Sequence, residues 1–211
     1  MNDKINEIIS VLEEMFPDAF CELNFNNNFQ LLIAVMLSAQ TTDKAVNKVT
    51  EVLFREYPTV EDIYNAEVDE IEAIIKRLGL YKNKAKNIKG ISKVIYEEYD
   101  GKIVCDRKVL ESLPGVGRKT TNVVMSVGFD VPAFAVDTHV ERIAKRLKLA
   151  YQKDSVYKVE EKLRRKFPEE TWNKLHHQLI FFGRYFCTAR KPKCRECKLI
   201  KYCRNKTTII D

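Results

Sequence analysis

Four of the six cysteines lie in one short segment, with gaps of six, two and five residues between them: Cys187, Cys194, Cys197 and Cys203. Four thiolates so close in sequence can complete the coordination shell of one metal centre, and zinc or an iron–sulfur cluster accepts such a set. The unequal gaps do not repeat the paired spacing of a zinc ribbon. The residues alone therefore predict a four-cysteine metal centre and leave both metals open.

A glycine-rich turn, Leu-Pro-Gly-Val-Gly-Arg-Lys over residues 113–119, separates two stretches with helical patterning, 107–112 and 118–127. Two glycines one residue apart allow a tight turn with outward-pointing amides, and the next helix adds its N-terminal donors. Such donors bind phosphate without reading bases. The alternative is an ordinary turn between two helices. Together with the helical stretches on both sides, however, the turn predicts a helix-hairpin-helix motif, which binds the DNA backbone. The predicted DNA contacts are Gly115, Val116, Gly117 and Arg118.

Two residues beyond this turn could carry catalysis. Lys119 falls on the first turn of the second helix, and a neutral lysine amine is a nucleophile. Asp137, in Ala-Val-Asp-Thr-His-Val, has the position of a helix N-cap. The same carboxylate could stabilise positive charge that develops on a sugar as a base departs. A solvated lysine and a purely structural cap are the alternatives.

Gln40 and Leu80 fall at breaks between predicted helices. Either side chain could protrude and wedge into a duplex. A surface glutamine and a core leucine are the alternative interpretations. We therefore treat both as candidate DNA-binding residues.

Positive charge is concentrated in two places, although the net charge is only +6. Residues 184–206 hold nine Lys or Arg and one Glu, and residues 76–93 hold seven Lys or Arg and no acid. Such blocks suit a polyanion, and solvated helix faces are the alternative. Within the cysteine segment, Arg190, Lys191 and Lys193 would form a basic loop aimed at phosphates.

The elements that position these residues are predicted to be helices. Apolar residues recur at helical spacing, Gly (7) and Pro (6) are scarce, and no strand alternation stands out, so we expect an all-α fold of one or two domains. The first residues do not resemble a signal peptide, and the longest apolar run, 31–37, is too short to span a bilayer. We expect a cytoplasmic, nucleoid-associated monomer without a membrane segment.

In order along the chain, five motifs resemble the endonuclease III family, bifunctional DNA glycosylases and abasic-site lyases of the helix-hairpin-helix superfamily. They are residues 31–43, Gly79-Leu80-Tyr81, the hairpin at 113–119, Val136-Asp137-Thr138-His139, and the stretch from His176 through Tyr185 into the four cysteines. The resemblance covers nearly the whole chain.

The resemblance implies a two-lobed fold, with a six-helix domain at 22–131 and a cluster domain made of 1–21 and 132–211. It implies that Lys119 forms a Schiff base, that Asp137 is the essential aspartate, and that Gln40 and Leu80 fill the gap left by an extruded nucleotide. It also implies that the four cysteines hold a [4Fe–4S] cluster. The expected substrate is duplex DNA with oxidised or ring-saturated pyrimidines or abasic sites, cleaved by β-elimination.

Three alternatives remain open at the level of sequence. The adenine-mismatch glycosylase shares the hairpin, the aspartate and the cluster but usually lacks the hairpin lysine. Relatives that act on mismatches or pyrimidine dimers differ in residues of the base pocket, which the sequence does not identify. A non-catalytic iron–sulfur DNA-binding module would use only the hairpin and the cluster.

Overall fold

The structure of the chain is a computed structural model that describes residues 3–204. Helices are the regular structure throughout this range, which contains no strand. None of the helices in it is long and apolar enough to cross a membrane. The predicted all-α fold class is therefore confirmed.

The described chain divides into two compact units, which we call the continuous and the discontinuous unit. The continuous unit comprises residues 22–130, and the discontinuous unit comprises residues 3–21 together with 131–204. The assignment of these segments as the domains of a glycosylase stays a prediction.

The continuous unit is built from short helices around one apolar helix. They are α2 (Asn28–Leu37), α3 (Asp43–Glu56), α4 (Val60–Asn65), α5 (Val68–Ile75), α6 (Tyr81–Tyr99), α7 (Arg107–Ser112) and α8 (Arg118–Val123). Every residue of α2 from Phe29 to Leu37 is buried, and α2 packs against α3, α6 and α8. A helix that is apolar on all sides has no face for water and so becomes the centre of the unit. Each fully buried leucine or isoleucine there contributes roughly 1.5–3 kcal/mol.

The two helices of the predicted hairpin begin and end close to the positions expected from sequence. Asp106 caps α7, because its Oδ1 accepts hydrogen bonds from the backbone N–H groups of Lys108 (2.7 Å) and Val109 (3.1 Å). The second helix, predicted to continue to residue 127, is regular only to Val123. It then widens into a π-helical turn, Val124–Gly128.

The discontinuous unit joins the first helix of the chain to the last ones. Its helices are α1 (Asp3–Met15), α9 (Thr138–Arg146), α10 (Val156–Lys166) and α11 (Trp172–Phe181), followed by a π-helical turn at Phe182–Phe186. One face of α1 supplies Ile5, Ile8 and Leu12 to a core shared with α9, α10 and α11. The apolar spacing of α1 in the sequence is therefore explained by packing.

The polar face of α1 binds part of the C-terminal basic block. Glu7 accepts from Lys201 Nζ (2.7 Å) and from the Tyr202 hydroxyl (2.6 Å), and Glu14 forms an ion pair with Lys198. These two lysines pair with carboxylates of α1, so only part of the basic block is available to a polyanion. Lys206 of the same block lies outside the described residues.

Candidate functional site

The glycine segment between α7 and α8 forms the tight turn that the sequence predicts. Gly115 has φ +72°, and a Cβ there would lie 2.3 Å from Nδ2 of Asn87, so both conformation and space require glycine. Val116 is buried and donates its N–H to the carbonyl of Leu113 (3.1 Å), which closes the turn. Val116 is therefore a packing residue whose side chain anchors the turn.

Gly117 differs from Gly115 because no atom of the described residues lies within 4 Å of a Cβ placed on it. It precedes α8 as the N-cap residue and, as a glycine, has no side chain with which to cap that helix. An N-terminus with room in front of it and a glycine N-cap suits a phosphate oxygen. Lys119 lies on this first turn and is half-buried, and Arg118 precedes it.

Gln40 and Leu80 are both exposed, and both adopt the left-handed backbone conformation although neither is glycine. Their φ values are +55° and +59°, and the side chain of Leu80 is 63% exposed. Gln40 lies in the segment between α2 and α3, and Leu80 precedes α6. The core-leucine alternative for Leu80 is thus wrong, and a large apolar side chain held in solvent at a helix break is available to contact a ligand.

Asp137 is the N-cap of α9, as its sequence context indicates. Its Oδ1 accepts from the backbone N–H groups of His139 and Val140, both at 2.8 Å. The side chain is half-buried, and within residues 3–204 its Oδ2 has no hydrogen-bond partner. One oxygen therefore serves the helix, and the other is available for chemistry. Lys119 and Asp137 belong to different units, so their pairing stays a prediction.

Helix α9 also connects Asp137 to the cysteine segment through two arginines. Arg142 donates to the carbonyl oxygens of Gly183 (2.6 Å) and Cys187 (3.3 Å). Arg146, one turn later, donates to Cys187 Sγ (3.2 Å) and to the carbonyl of Thr188 (2.8 Å). Sequence reasoning missed both arginines, because their acceptors lie about forty residues away along the chain.

The four cysteines of the predicted metal centre line one cavity. Apolar side chains of α9 and of the π-helical turn 182–186 complete its wall. Burial raises the pKa of Cys197 to about 11, and the neighbouring thiols add to this. Burial, with the nearby Cys187 and Cys203, also raises the pKa of Cys194. Such thiols become thiolates when a cationic centre binds them.

Among residues 3–204, no three His, Cys, Asp or Glu side chains are arranged to hold one metal ion. Four thiolates around one cavity are a donor set that an iron–sulfur cluster accepts.

The basic loop beside the cysteines is exposed. Arg190, Lys191 and Lys193 all face solvent, and none forms an ion pair within the described chain. Within the loop, Lys191 donates its N–H to Thr188 Oγ1 (3.1 Å), and Arg146 of α9 donates to the carbonyl of Thr188 (2.8 Å). These three cations are available to an anionic partner.

The basic block at 76–93 is less available than its sequence indicates. Lys84 is 5% exposed, and Lys89 donates to carbonyl oxygens at the end of α4, including Ala66 O at 2.6 Å. Both amines thus bind the protein itself. A run of lysines predicts exposed charge only when its helix has no buried face.

Comparisons with known proteins place this chain and its fold in one class. Residues 33–169 match the model of the HhH-GPD superfamily of base excision DNA repair proteins. The chain is 53% identical to endonuclease III of Bacillus subtilis (strain 168) over 201 residues, which cover 95% of this chain and 92% of that protein. It is 44% identical to endonuclease III of Escherichia coli (strain K12), with 96% of each chain covered.

Solved structures give the same result. A trapped endonuclease III–DNA covalent intermediate, an estranged-adenine complex, superposes with a TM-score of 0.95 at 48% identity over 100% of both chains. A thermostable thymine-DNA glycosylase superposes with a TM-score of 0.88 at 26% identity over 98% of both. The chain belongs to the endonuclease III family within the HhH-GPD superfamily, and the resemblance seen in the sequence is confirmed.

Proposed function

We propose that this chain is a DNA glycosylase with abasic-site lyase activity that removes oxidised or ring-saturated pyrimidines from duplex DNA. The observation that carries the proposal is Lys119, a half-buried residue on the first turn of α8, directly behind a turn with open space at Gly117. A nucleophile beside a phosphate-binding turn is placed for attack on the sugar next to that phosphate. The chain acts as a monomer in this proposal.

DNA binding in this proposal uses the backbone. The amides around Gly115, Gly117 and Arg118 bind a phosphate, and the exposed Arg190, Lys191 and Lys193 contact others. Gln40 and Leu80 fill the gap that opens when the damaged nucleotide leaves the stack. Extrusion costs least where damage has already weakened the stacking of the base.

The chemistry proceeds in two stages. Neutral Lys119 Nζ bonds to C1′ of the deoxyribose as the glycosidic bond breaks, and the base leaves with that electron pair and takes up a proton. Asp137, through its oxygen that does not cap α9, stabilises the positive charge on the sugar. The nitrogen then gives up a proton, its lone pair expels O4′ from C1′, O4′ takes up a proton, and the opened sugar carries a protonated imine on Lys119. This imine makes a C2′ proton acidic, and removal of that proton expels the 3′ phosphate. Hydrolysis of the imine regenerates Lys119.

The four cysteines of the shared cavity would hold a [4Fe–4S] cluster. When bound, the cluster is a rigid cross-link among Cys187, Cys194, Cys197 and Cys203, and no bond of the substrate changes at it. Its contribution is to fix the loop that presents Arg190, Lys191 and Lys193. Arg146, which donates to Cys187 Sγ, is a neighbour of one of the cysteines that would hold it.

Trapping with borohydride tests the central step. Reduction of the imine should join the native protein covalently to duplex DNA with an abasic site. Lys119→Gln should form no adduct, whereas Lys108→Gln, which changes an exposed lysine of α7, should trap like the native protein. An equal yield of adduct from Lys119→Gln would disprove the lyase assignment.

Thymine removal from mismatches is the second candidate, because the match to a thymine-DNA glycosylase covers nearly the whole chain. A panel of duplexes with an oxidised pyrimidine, uracil, a G·T mismatch or an abasic site separates the two. Faster release from the mismatch than from the oxidised pyrimidine would favour the second candidate.

A further inference from the structure

One buried lysine of the continuous unit has no role in the mechanism above. Lys84 Nζ donates three hydrogen bonds, to Leu37 O (2.9 Å), Ala39 O (3.0 Å) and Thr41 Oγ1 (2.9 Å). These bonds use all three donors of the ammonium group. Its acceptors are neutral, and within residues 3–204 it forms no ion pair with a carboxylate. A buried lysine held only by neutral oxygens is costly and calls for an explanation.

The acceptors of Lys84 lie on both sides of Gln40. Leu37 ends α2, where carbonyl oxygens lack helical donors and a cation is favourable. Ala39 and Thr41 are the immediate neighbours of Gln40, and the Thr41 hydroxyl donates in turn to Ala39 O (3.3 Å). The amine therefore fixes the segment in which Gln40 takes its left-handed conformation.

The backbone of Lys84 bonds to the other candidate residue. Its N–H donates to Leu80 O (3.0 Å) in the first turn of α6. Gln40 and Leu80 are both left-handed and exposed, and such conformations persist only where the surroundings determine them. The side chain of Lys84 thus bonds to the segment around Gln40, and its backbone N–H bonds to Leu80.

We propose that Lys84 is a positioning residue that sets the placement of Gln40 relative to Leu80, so that the two enter an opened duplex together. This inference rests on the proposed function, in which they fill the gap left by the extruded nucleotide. Lys84 acts through them and does not touch the reacting atoms.

Lys84→Met tests the proposal, because it keeps the length of the side chain and removes the three donors. Base removal from duplex DNA in a single turnover should fall by about tenfold or more. Borohydride trapping on a single-stranded abasic oligonucleotide should change less than about twofold, because there is no opposite strand and no gap to fill. Lys102→Met, which alters a lysine whose side chain is 80% exposed, should leave both measurements unchanged.

A double-variant comparison identifies the route of the effect. In protein that already carries Gln40→Ala and Leu80→Ala, adding Lys84→Met should change duplex base removal less than about twofold. Thr41→Val removes one of the three acceptors and is a milder variant, which should lower duplex base removal in the same direction by a smaller factor. If circular dichroism shows that Lys84→Met does not fold, Thr41→Val is used in its place.

Three results would overturn the proposal: no loss on duplex DNA, an equal loss on single-stranded DNA, or a full additional loss in the Gln40→Ala, Leu80→Ala protein. If the native protein traps abasic DNA and Lys84→Met keeps its duplex rate, the positioning role alone is wrong. If the native protein traps nothing, the proposed function is wrong, and the positioning role falls with it.

Discussion

Gly115 and Gly117 lie two residues apart in one turn, yet each lacks a side chain for a different reason. Position 115 requires glycine because its φ is positive and because a side chain there would clash with Asn87. Gly117 is required by nothing in the described chain, since its φ of −107° suits any residue and the space before it is open. The space at Gly117 is therefore best explained by a ligand that approaches the backbone.

This contrast gives a paired prediction. Gly115→Ala should destabilise the protein by about 1–3 kcal/mol, because it adds strain and a clash. Gly117→Ala should leave the melting temperature unchanged or slightly raised but weaken duplex binding, because its Cβ occupies the phosphate approach. Thermal melts and binding isotherms on both variants check this, and equal DNA affinity of native and Gly117→Ala protein would contradict it.

Asp137 combines a structural and a proposed chemical role, and two substitutions separate them. Asp137→Asn keeps an oxygen that accepts from the N–H groups of His139 and Val140, so stability should stay close to native. Asp137→Ala should cost about 1 kcal/mol through loss of the cap. Both should lose base release, since neither carries a charge. Melts and single-turnover assays measure the two effects, and unchanged release in Asp137→Asn would remove the carboxylate from the mechanism.

At the scale of residues, the sequence predicts well where the signal is local. The cap at Asp137 and the turn at Gly115 follow from a few neighbouring residues, and both are found. Lys84 and Arg146 were missed, because their roles depend on oxygen and sulfur atoms more than forty residues away. Neither residue type nor spacing carries that information.

At the scale of elements, α9 is the most informative part of the site. Asp137 caps its first turn and Arg146 is its last residue, so its two ends contact the proposed catalytic carboxylate and the cysteine segment. Gly183 allows the π-helical turn to approach α9, since a Cβ there would lie 2.9 Å from Cβ of His139. The helix itself was predicted from sequence, but its arginine bonds and the π-helical turn were not.

The basic loop and the lysines paired to α1 belong to one sequence block but should behave differently. Lys191→Gln with Lys193→Gln should reduce the steepness of the salt dependence of duplex binding by about 0.9 for each phosphate that the loop no longer neutralises. Lys198→Gln with Lys201→Gln should leave that slope unchanged and lower the melting temperature, because these amines pair with Glu14 and Glu7. Binding titrations across salt concentration give the slopes, and equal slopes for all variants would exclude the loop from the interface.

At the scale of the whole molecule, the charges of α1 link the first and last described segments. Hydrogen bonds from Lys201 and then Tyr202 hold the pKa of Glu7 below its ordinary value, and Lys174 and then Gln178 do the same for Glu13. A carboxylate whose pKa is lowered in the folded state stabilises that state above its unfolded pKa, and the benefit is lost as pH falls.

We therefore expect stability to decline as pH drops from about 5 through the lowered pKa values of these carboxylates. A protein with Glu7→Gln and Glu13→Gln should show a shallower decline, since less proton uptake accompanies its unfolding. Glu51→Gln, at an exposed site on α3, is the control and should retain the native profile. Melts over a pH series test this, and identical profiles for the double variant and native protein would contradict it.

The insertion of the continuous unit between α1 and the rest of its own core has a consequence for biosynthesis. A ribosome that makes this chain releases Ile5, Ile8 and Leu12 early, but the residues that cover them follow only after the 109 residues of 22–130. At translation speeds of 5–20 residues per second, that delay is roughly 5–20 s. During this interval the nascent first helix exposes an apolar stripe, and the intervening unit can complete its own fold before the stripe is covered.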